Sequence, residues 1–351
     1  MVALSVLDLA TVCEGDTASA ALRKSLALAQ RAESLGYQRF WVAEHHSMPG
    51  VASAATAVVI AHLAAGTSSI RVGAGGIMLP NHPPLVIAEQ FGTLESLHPG
   101  RIDLGLGRAP GSAAFTQRAL RRPKDAADRF VDDLKELQYW FREKTPEQRT
   151  FAMPGAGLSL PLWILGSSTF GGAVAAEFGL PYAFASHFAP AQLDEAVALY
   201  RARFKPSHQC EEPHLMLALN AVAAPQDSEA QHLFSSLQQA FVALSAGAPK
   251  PFPPPRDFHP SEIEQVFLHQ ALQLSVVGSV DTVAASLASF VERHRPQELI
   301  ITVPVFEFEH RLRSLELTAE AARHAGIHPT ITARDANDRI GVRSQDKGQH
   351  R

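Results

Sequence analysis

Only two cysteines, Cys13 and Cys210, occur in 351 residues, so neither a disulfide framework nor a cysteine zinc cage organises this chain. Positive charge is also scarce: 31 Lys and Arg stand against 35 Asp and Glu, a formal net charge of -4. Gripping a polyanion needs clustered cations, so no nucleic-acid partner is expected. The longest apolar candidate, 52–66, is alanine-rich, interrupted by His62, and shorter than the roughly 20 residues of a spanning helix. No membrane association is expected. The first residues carry no basic cluster ahead of an apolar stretch, so no signal peptide is read there and a cytoplasmic location is expected. Three signatures are missing as well. Without a complete G-x-G-x-x-G there is no support for a Rossmann dinucleotide site, and without G-x-S-x-G none for a serine nucleophile elbow. H-E-x-x-H, the helical zinc pair, is absent too.

What is present is a core-forming composition, 46% hydrophobic and 19% charged. Short apolar runs alternate with amphipathic stretches. The expected strands are 2–7, 40–43, 70–76, 102–106, 162–165, 182–185, 214–223 and 299–303. Their helices are expected over 18–35, 53–65, 85–97, 123–142, 171–178, 192–203, 228–246 and 309–325, with two more over 261–270 and 280–295. Glycines such as Gly36, Gly66 and Gly100 stand where helices should stop. Eight strand–helix units over about 320 residues fit an α/β fold of the (β/α)₈ TIM-barrel type, with insertions, better than an open doubly wound sheet. One barrel domain is expected over 1–327. A proline-rich insertion at 249–260 is expected to lie over one barrel face, and 328–351 to form a polar mobile tail.

In such a barrel the chemistry sits at the C-terminal strand ends. Those ends read Glu44-His45-His46, Gly75-Gly76 then Asn81-His82-Pro83, Gly107-Arg108, Gly166-Ser167-Ser168 and Ser186-His187. Ser167 and Ser168 ahead of a helix, with Arg108 as a fixed cation, resemble a phosphate site, although serine there also reads as an ordinary helix cap. Gly75-Gly76 allows a flat ligand to approach the backbone, or marks a bulge. His45 and His46 point opposite ways on an extended chain, which disfavours one shared metal; a single histidine near neutral pKa suits proton transfer or hydrogen bonding. No metal site is expected.

Four strings occur in order: 40–46 (FWVAEHH), 75–80 (GGIMLP), 99–108 (PGRIDLGLGR) and 165–168 (LGSS). Together they resemble the bacterial luciferase-like, flavin-dependent monooxygenase family, in the branch of single-chain oxidoreductases, over about residues 2–325. The resemblance implies a (β/α)₈ barrel, reduced FMN as cofactor, a separate flavin reductase as partner, and a homodimer. It also implies oxygenation of a small organic substrate by O₂ through a flavin C4a-hydroperoxide. By position it makes His45 the catalytic histidine and Gly75-Gly76 a cis peptide under the isoalloxazine ring. Gly107 then lies along the flavin's reactive face, Arg108 at its phosphate, and Ser167 and Ser168 in the phosphate-binding turn. After Gly111 the family pattern leads to expect Thr-Asp, whereas this chain has Ser112-Ala113, which bears on rim chemistry and substrate preference. The alternatives are a deazaflavin-dependent oxidoreductase, a non-catalytic flavin-binding protein, and a metal-dependent barrel hydrolase.

Overall fold

Nine parallel strands occur among the described residues: β1 (Ala3–Asp8), β2 (Arg39–Val42), β3 (Arg71–Met78), β4 (Ile102–Gly107), β5 (Leu162–Gly166), β6 (Tyr182–Phe184), β7 (Leu215–Ala223), β8 (Val276–Gly278) and β9 (Glu298–Thr302). They belong to a computed structural model that describes residues 2–109, 114–123 and 125–327. All but β8 close into a ring, with β1 to β6 side by side, β6 on β7, β7 on β9, and β9 back on β1. This is the expected eight-stranded barrel. The tail from 328 and the Ser112-Ala113 departure lie outside the described residues.

Helices α1 (Ala18–Ser34), α2 (Thr56–Ala65), α3 (Pro84–Leu97), α4 (Ala114–Ala119), α5 (Phe130–Trp140), α6 (Thr169–Phe178), α7 (Leu193–Arg203), α8 (Asp227–Ser245), α9 (Glu262–Leu272), α10 (Val280–His294) and α11 (Phe308–His324) alternate with the strands. The local chemistry is legible in α1. Thr17 caps it by accepting from the Ala20 N–H at 3.1 Å, and Ala21, Ser25, Leu28, Ala29 and Ala32 form its buried stripe. Strands in a barrel are covered on both faces, so successive residues go to different cores. Phe40 and Val42 pack outward beneath the helices, while Trp41 packs inward with Leu7, Trp163, Met216 and Ile300.

Two expectations need correction. The helix expected over 123–142 is shorter: α5 begins only at Phe130, and a separate short helix, α4, ends before the expected range at Ala119. Between them Arg121 has φ +55 and 125–129 form single turns, such as Asp128 N–H to Asp125 O. The helical apolar spacing begins only at Phe130, continuing through Leu134 and Leu137. Strand β8 was not expected. It pairs Val276–Gly278 with Ala221–Ala223 beyond the barrel wall, and three residues are too few to show a period.

The barrel floor is charged. Arg39 reaches Asp103 at 2.8 Å and Glu298 at 3.0 Å, and Arg71 reaches the other Asp103 oxygen at 2.7 Å. Arg39, Asp103 and Glu298 are each at most 1% exposed. Ser5 also donates to Glu298, and the Trp41 indole N–H to Asp103 at 3.1 Å. Burial opposes every one of these charges. The Arg39 and Arg71 guanidiniums nevertheless hold the Asp103 carboxyl below its ordinary range, and Arg39 does the same to Glu298. Gly73 makes room for this: a Cβ there would fall 2.5 Å from the Asp103 carbonyl and 2.9 Å from the Trp41 indole nitrogen.

Candidate active site

The opposite end of the barrel collects the polar strand ends. The main-chain N–H of Glu44, just past β2, donates to the Gly76 carbonyl at 3.2 Å. The Gly75–Gly76 peptide is cis and lies where the β3–β4 register shifts between Ala74 and Ile77. Both positions are crowded, Gly75 by side chains and Gly76 by backbone. A Cβ on Gly75 would meet Leu7 at 2.7 Å, and one on Gly76 the Gly105 carbonyl at 2.7 Å. At Gly107, on the end of β4, such a Cβ would make only an ordinary contact, 3.8 Å from the Ile77 carbonyl, among the described residues.

Glu44 is buried and acts as a hub. Its carboxylate accepts from the Met78 N–H at 2.9 Å, from His46 Nε2 at 2.7 Å, and from His82 Nε2 at 2.9 and 3.0 Å. Burial alone would raise its pKa; the His82 contact, the Met78 N–H and His46 outweigh that and hold it below the ordinary range. The resulting stability is complete above an ordinary glutamate pKa of about 4.3 and is lost as pH falls through the depressed value. Glu44→Gln is therefore expected to cost about 1–3 kcal/mol at pH 7, with the deficit shrinking at acid pH; urea midpoints at the two pH values check it. The same three side chains bring ligand atoms within 4.8 Å of one another, a spacing that could hold a metal ion. His46 thus shares a carboxylate with His82 from the next strand, a partnership that β2 alone does not show.

His45 stands next to this hub without hydrogen-bonding to it. It is half-buried, its ring has no hydrogen-bond partner among the described residues, and burial foremost lowers its pKa from 6.5. The imidazole is therefore neutral at pH 7 and free to meet a ligand.

Two strands further round, Arg108 is exposed and lays its guanidinium 3.8 Å from the centroid of the Phe170 ring, in the first turn of α6. No carboxylate among the described residues pairs with it. Ser168 holds the cap position of α6 with extended backbone, yet its hydroxyl accepts nothing from the helix, so the capping alternative does not describe it. Its carbonyl takes the Tyr182 hydroxyl at 2.9 Å. The Ser167 hydroxyl likewise has no partner among the described residues. Arg108, Ser167 and Ser168 thus sit together around one helix start, joined by the Phe170 contact, and His45 and Gly75-Gly76 occupy the adjoining rim.

The proline-rich segment crosses the β1–β2 side of this rim. The Phe252 N–H donates to the Val12 carbonyl at 2.8 Å, and the Glu14 N–H to the Phe252 carbonyl at 2.8 Å. Sequence reasoning passed over the role of His82 at the Glu44 hub and of Asn220, a buried residue of β7. Each is a single polar residue near a strand end, and only its neighbour in space gives it meaning.

Fold and rim together define a (β/α)₈-barrel enzyme. The chain belongs to the luciferase-like monooxygenases, whose family description matches residues 2–295, and it is an oxidoreductase. It is 48% identical over 323 residues to a luciferase-like monooxygenase of Escherichia coli K12, covering 91% of this chain and 96% of that one. The crystal structure of apo-MsnO8 superposes with a TM-score of 0.82 at 34% identity, over 92% of this chain and 99% of that one. A type II Baeyer-Villiger monooxygenase, the oxygenating constituent of 3,6-diketocamphane monooxygenase from Pseudomonas putida, in complex with FMN, shares the fold. It does so at a TM-score of 0.69 and 18% identity, over 92% of this chain and 98% of that one. Among the described residues no helix is long and apolar enough to cross a membrane.

Proposed function

We propose that this monooxygenase binds reduced FMN at the rim and uses O₂ to oxygenate a small organic substrate through a flavin C4a-hydroperoxide. The carrying observation is the Arg108 guanidinium, which no carboxylate among the described residues pairs, beside the hydroxyls of Ser167 and Ser168 at the start of α6, which no described residue engages. A cation, two hydroxyls and helix N–H groups are what a terminal phosphate needs. The Gly75–Gly76 segment, bare of side chains, gives a flat ring system a surface to lie on, and Gly107 likewise puts no side chain in its way. That the 3,6-diketocamphane enzyme holds FMN on this fold supports the same choice. When bound, the flavin supplies activation of O₂. His45 contributes a neutral imidazole that can hold or move a proton beside the ring, and the Phe252 strap helps to exclude water.

The reading includes a separate reductase, since the chain has no dinucleotide fingerprint. It also includes pairing of two copies.

Anaerobic titration with reduced FMN, followed by oxygen, tests the whole reading through the absorbance of a peroxyflavin. Arg108→Ala is expected to weaken reduced FMN about 10- to 100-fold, the loss of one charge-assisted hydrogen bond, and to leave reduced riboflavin, which lacks the phosphate, unchanged. Equal affinity of the wild-type protein for the two flavins would refute the phosphate site.

A further inference from the structure

His187 follows β6, which stands four strands from β2 in either direction around the barrel, so it faces His45 across the mouth. Its placement is firm. The buried Asn220 side chain donates to the His187 carbonyl at 2.6 Å and to Ser275 Oγ at 3.2 Å, and accepts from Thr302 at 2.7 Å. Beside it the Ser186 hydroxyl donates to the Ala218 carbonyl at 2.6 Å. The imidazole stands edge-on to Phe188, ring centres 4.8 Å apart.

None of this satisfies the ring itself. Nδ1 is buried and has no hydrogen-bond partner, and Nε2, which is not buried, has none among the described residues. Burial, reinforced by the nearby His45, pushes the His187 pKa down to about 4, so at pH 7 the ring carries one N–H and one bare nitrogen. An orphaned buried N–H is rarer and less tolerable than an orphaned acceptor. The proton therefore belongs on Nε2, and what the ring presents to the mouth is an uncharged donor with no protein acceptor among the described residues.

We infer that His187 is a substrate-binding residue whose Nε2–H receives an acceptor oxygen of the carbonyl type on the wall opposite His45. This rests on the reading of the rim as an oxygenation site and adds the class of substrate: a small molecule bearing a carbonyl oxygen. A plain thioether or hydrocarbon of the same shape leaves the donor unpaired and is discriminated against.

Ring-¹⁵N-labelled histidine protein tests this by NMR, with the His187 signals assigned by their loss in His187→Asn. At pH 7 without ligand the expected tautomer is Nε2–H. Millimolar tetrahydrothiopyran-4-one is expected to shift the His187 signals, whereas tetrahydrothiopyran, the same ring without the carbonyl, is not. A proton on Nδ1, no shift with the ketone, or equal shifts with both compounds overturns the inference. The affinity of His187→Asn for reduced FMN is expected to stay within about twofold of wild type. Failure of the wild-type protein to bind reduced FMN defeats the oxygenation reading instead, so the two failures are told apart.

Discussion

His45→Ala is expected to lower the rate of oxygenated-product formation by about 10²- to 10⁴-fold, the range of a lost proton-transfer group. The half-buried ring has its pKa lowered mainly by burial and no protein partner among the described residues, so it is neutral and available at pH 7. Its proton exchange is therefore not spent on a structural hydrogen bond. Reduced FMN should bind the variant within about twofold of wild type, because Arg108, Ser167 and Ser168 follow β4 and β5 rather than β2. Product analysis with chemically reduced FMN and O₂ separates the two effects. Turnover equal to wild type would remove His45 from the reaction. The acid limb of the activity profile follows from the same shift. A base whose pKa is depressed stays unprotonated further down the scale, so activity should persist below pH 6.5 and fall only as the ring takes its proton.

Asp103→Ala is expected to destabilise the fold by about 3–5 kcal/mol, the cost of stranding a buried charge. Here two arginines lose their shared carboxylate, and neither has water to turn to: Arg39 is 1% exposed and Arg71 6%. Arg39 keeps Glu298, which limits the damage but leaves the floor with an excess of positive charge. The depressed Asp103 pKa means that its contribution is present at neutral pH and is lost as pH falls through the folded value. The shift in urea midpoint should therefore be large at pH 7 and smaller in acid. A change of under about 1 kcal/mol at pH 7 would show that the floor relaxes or hydrates when opened. The rim lies at the other end of the strands, so the molecules that remain folded should bind reduced FMN normally.

Much of the barrel is legible along the chain because each strand is covered on both faces and each helix on one. Val6, Phe40, Val72 and Leu104 sit in short runs of apolar and small residues, and α1 and α11 keep a helical stripe. The expected strand ranges fall within one or two residues of β1 to β7 and β9. Legibility fails where apolar spacing is not the determinant. The single turns of 125–129 and the three residues of β8 are set by what they lie against, not by a period. The floor was invisible for a related reason. Arg39, Arg71, Asp103 and Glu298 each look like a polar residue at the edge of a strand, and only barrel closure turns their side chains inward onto one another.

The rim divides in the same way. The order of small and polar residues after the strands already assembles Glu44, His45, Gly75, Gly76, Gly107, Arg108, Ser167 and Ser168 on one face, since parallel strands deliver all their C-terminal ends to the same side. Which groups are engaged and which are free is a matter of distance between segments far apart in the chain. Glu44 is occupied by His46 and His82, while Ser168 stands at a helix start without capping it. Among the described residues Arg108 stacks on Phe170 without a carboxylate partner, and His187 is fixed by Asn220 without a partner for its ring. Periodicity is local and can be read one residue at a time; a hydrogen bond or its absence belongs to two places at once, and only the closed barrel brings them together.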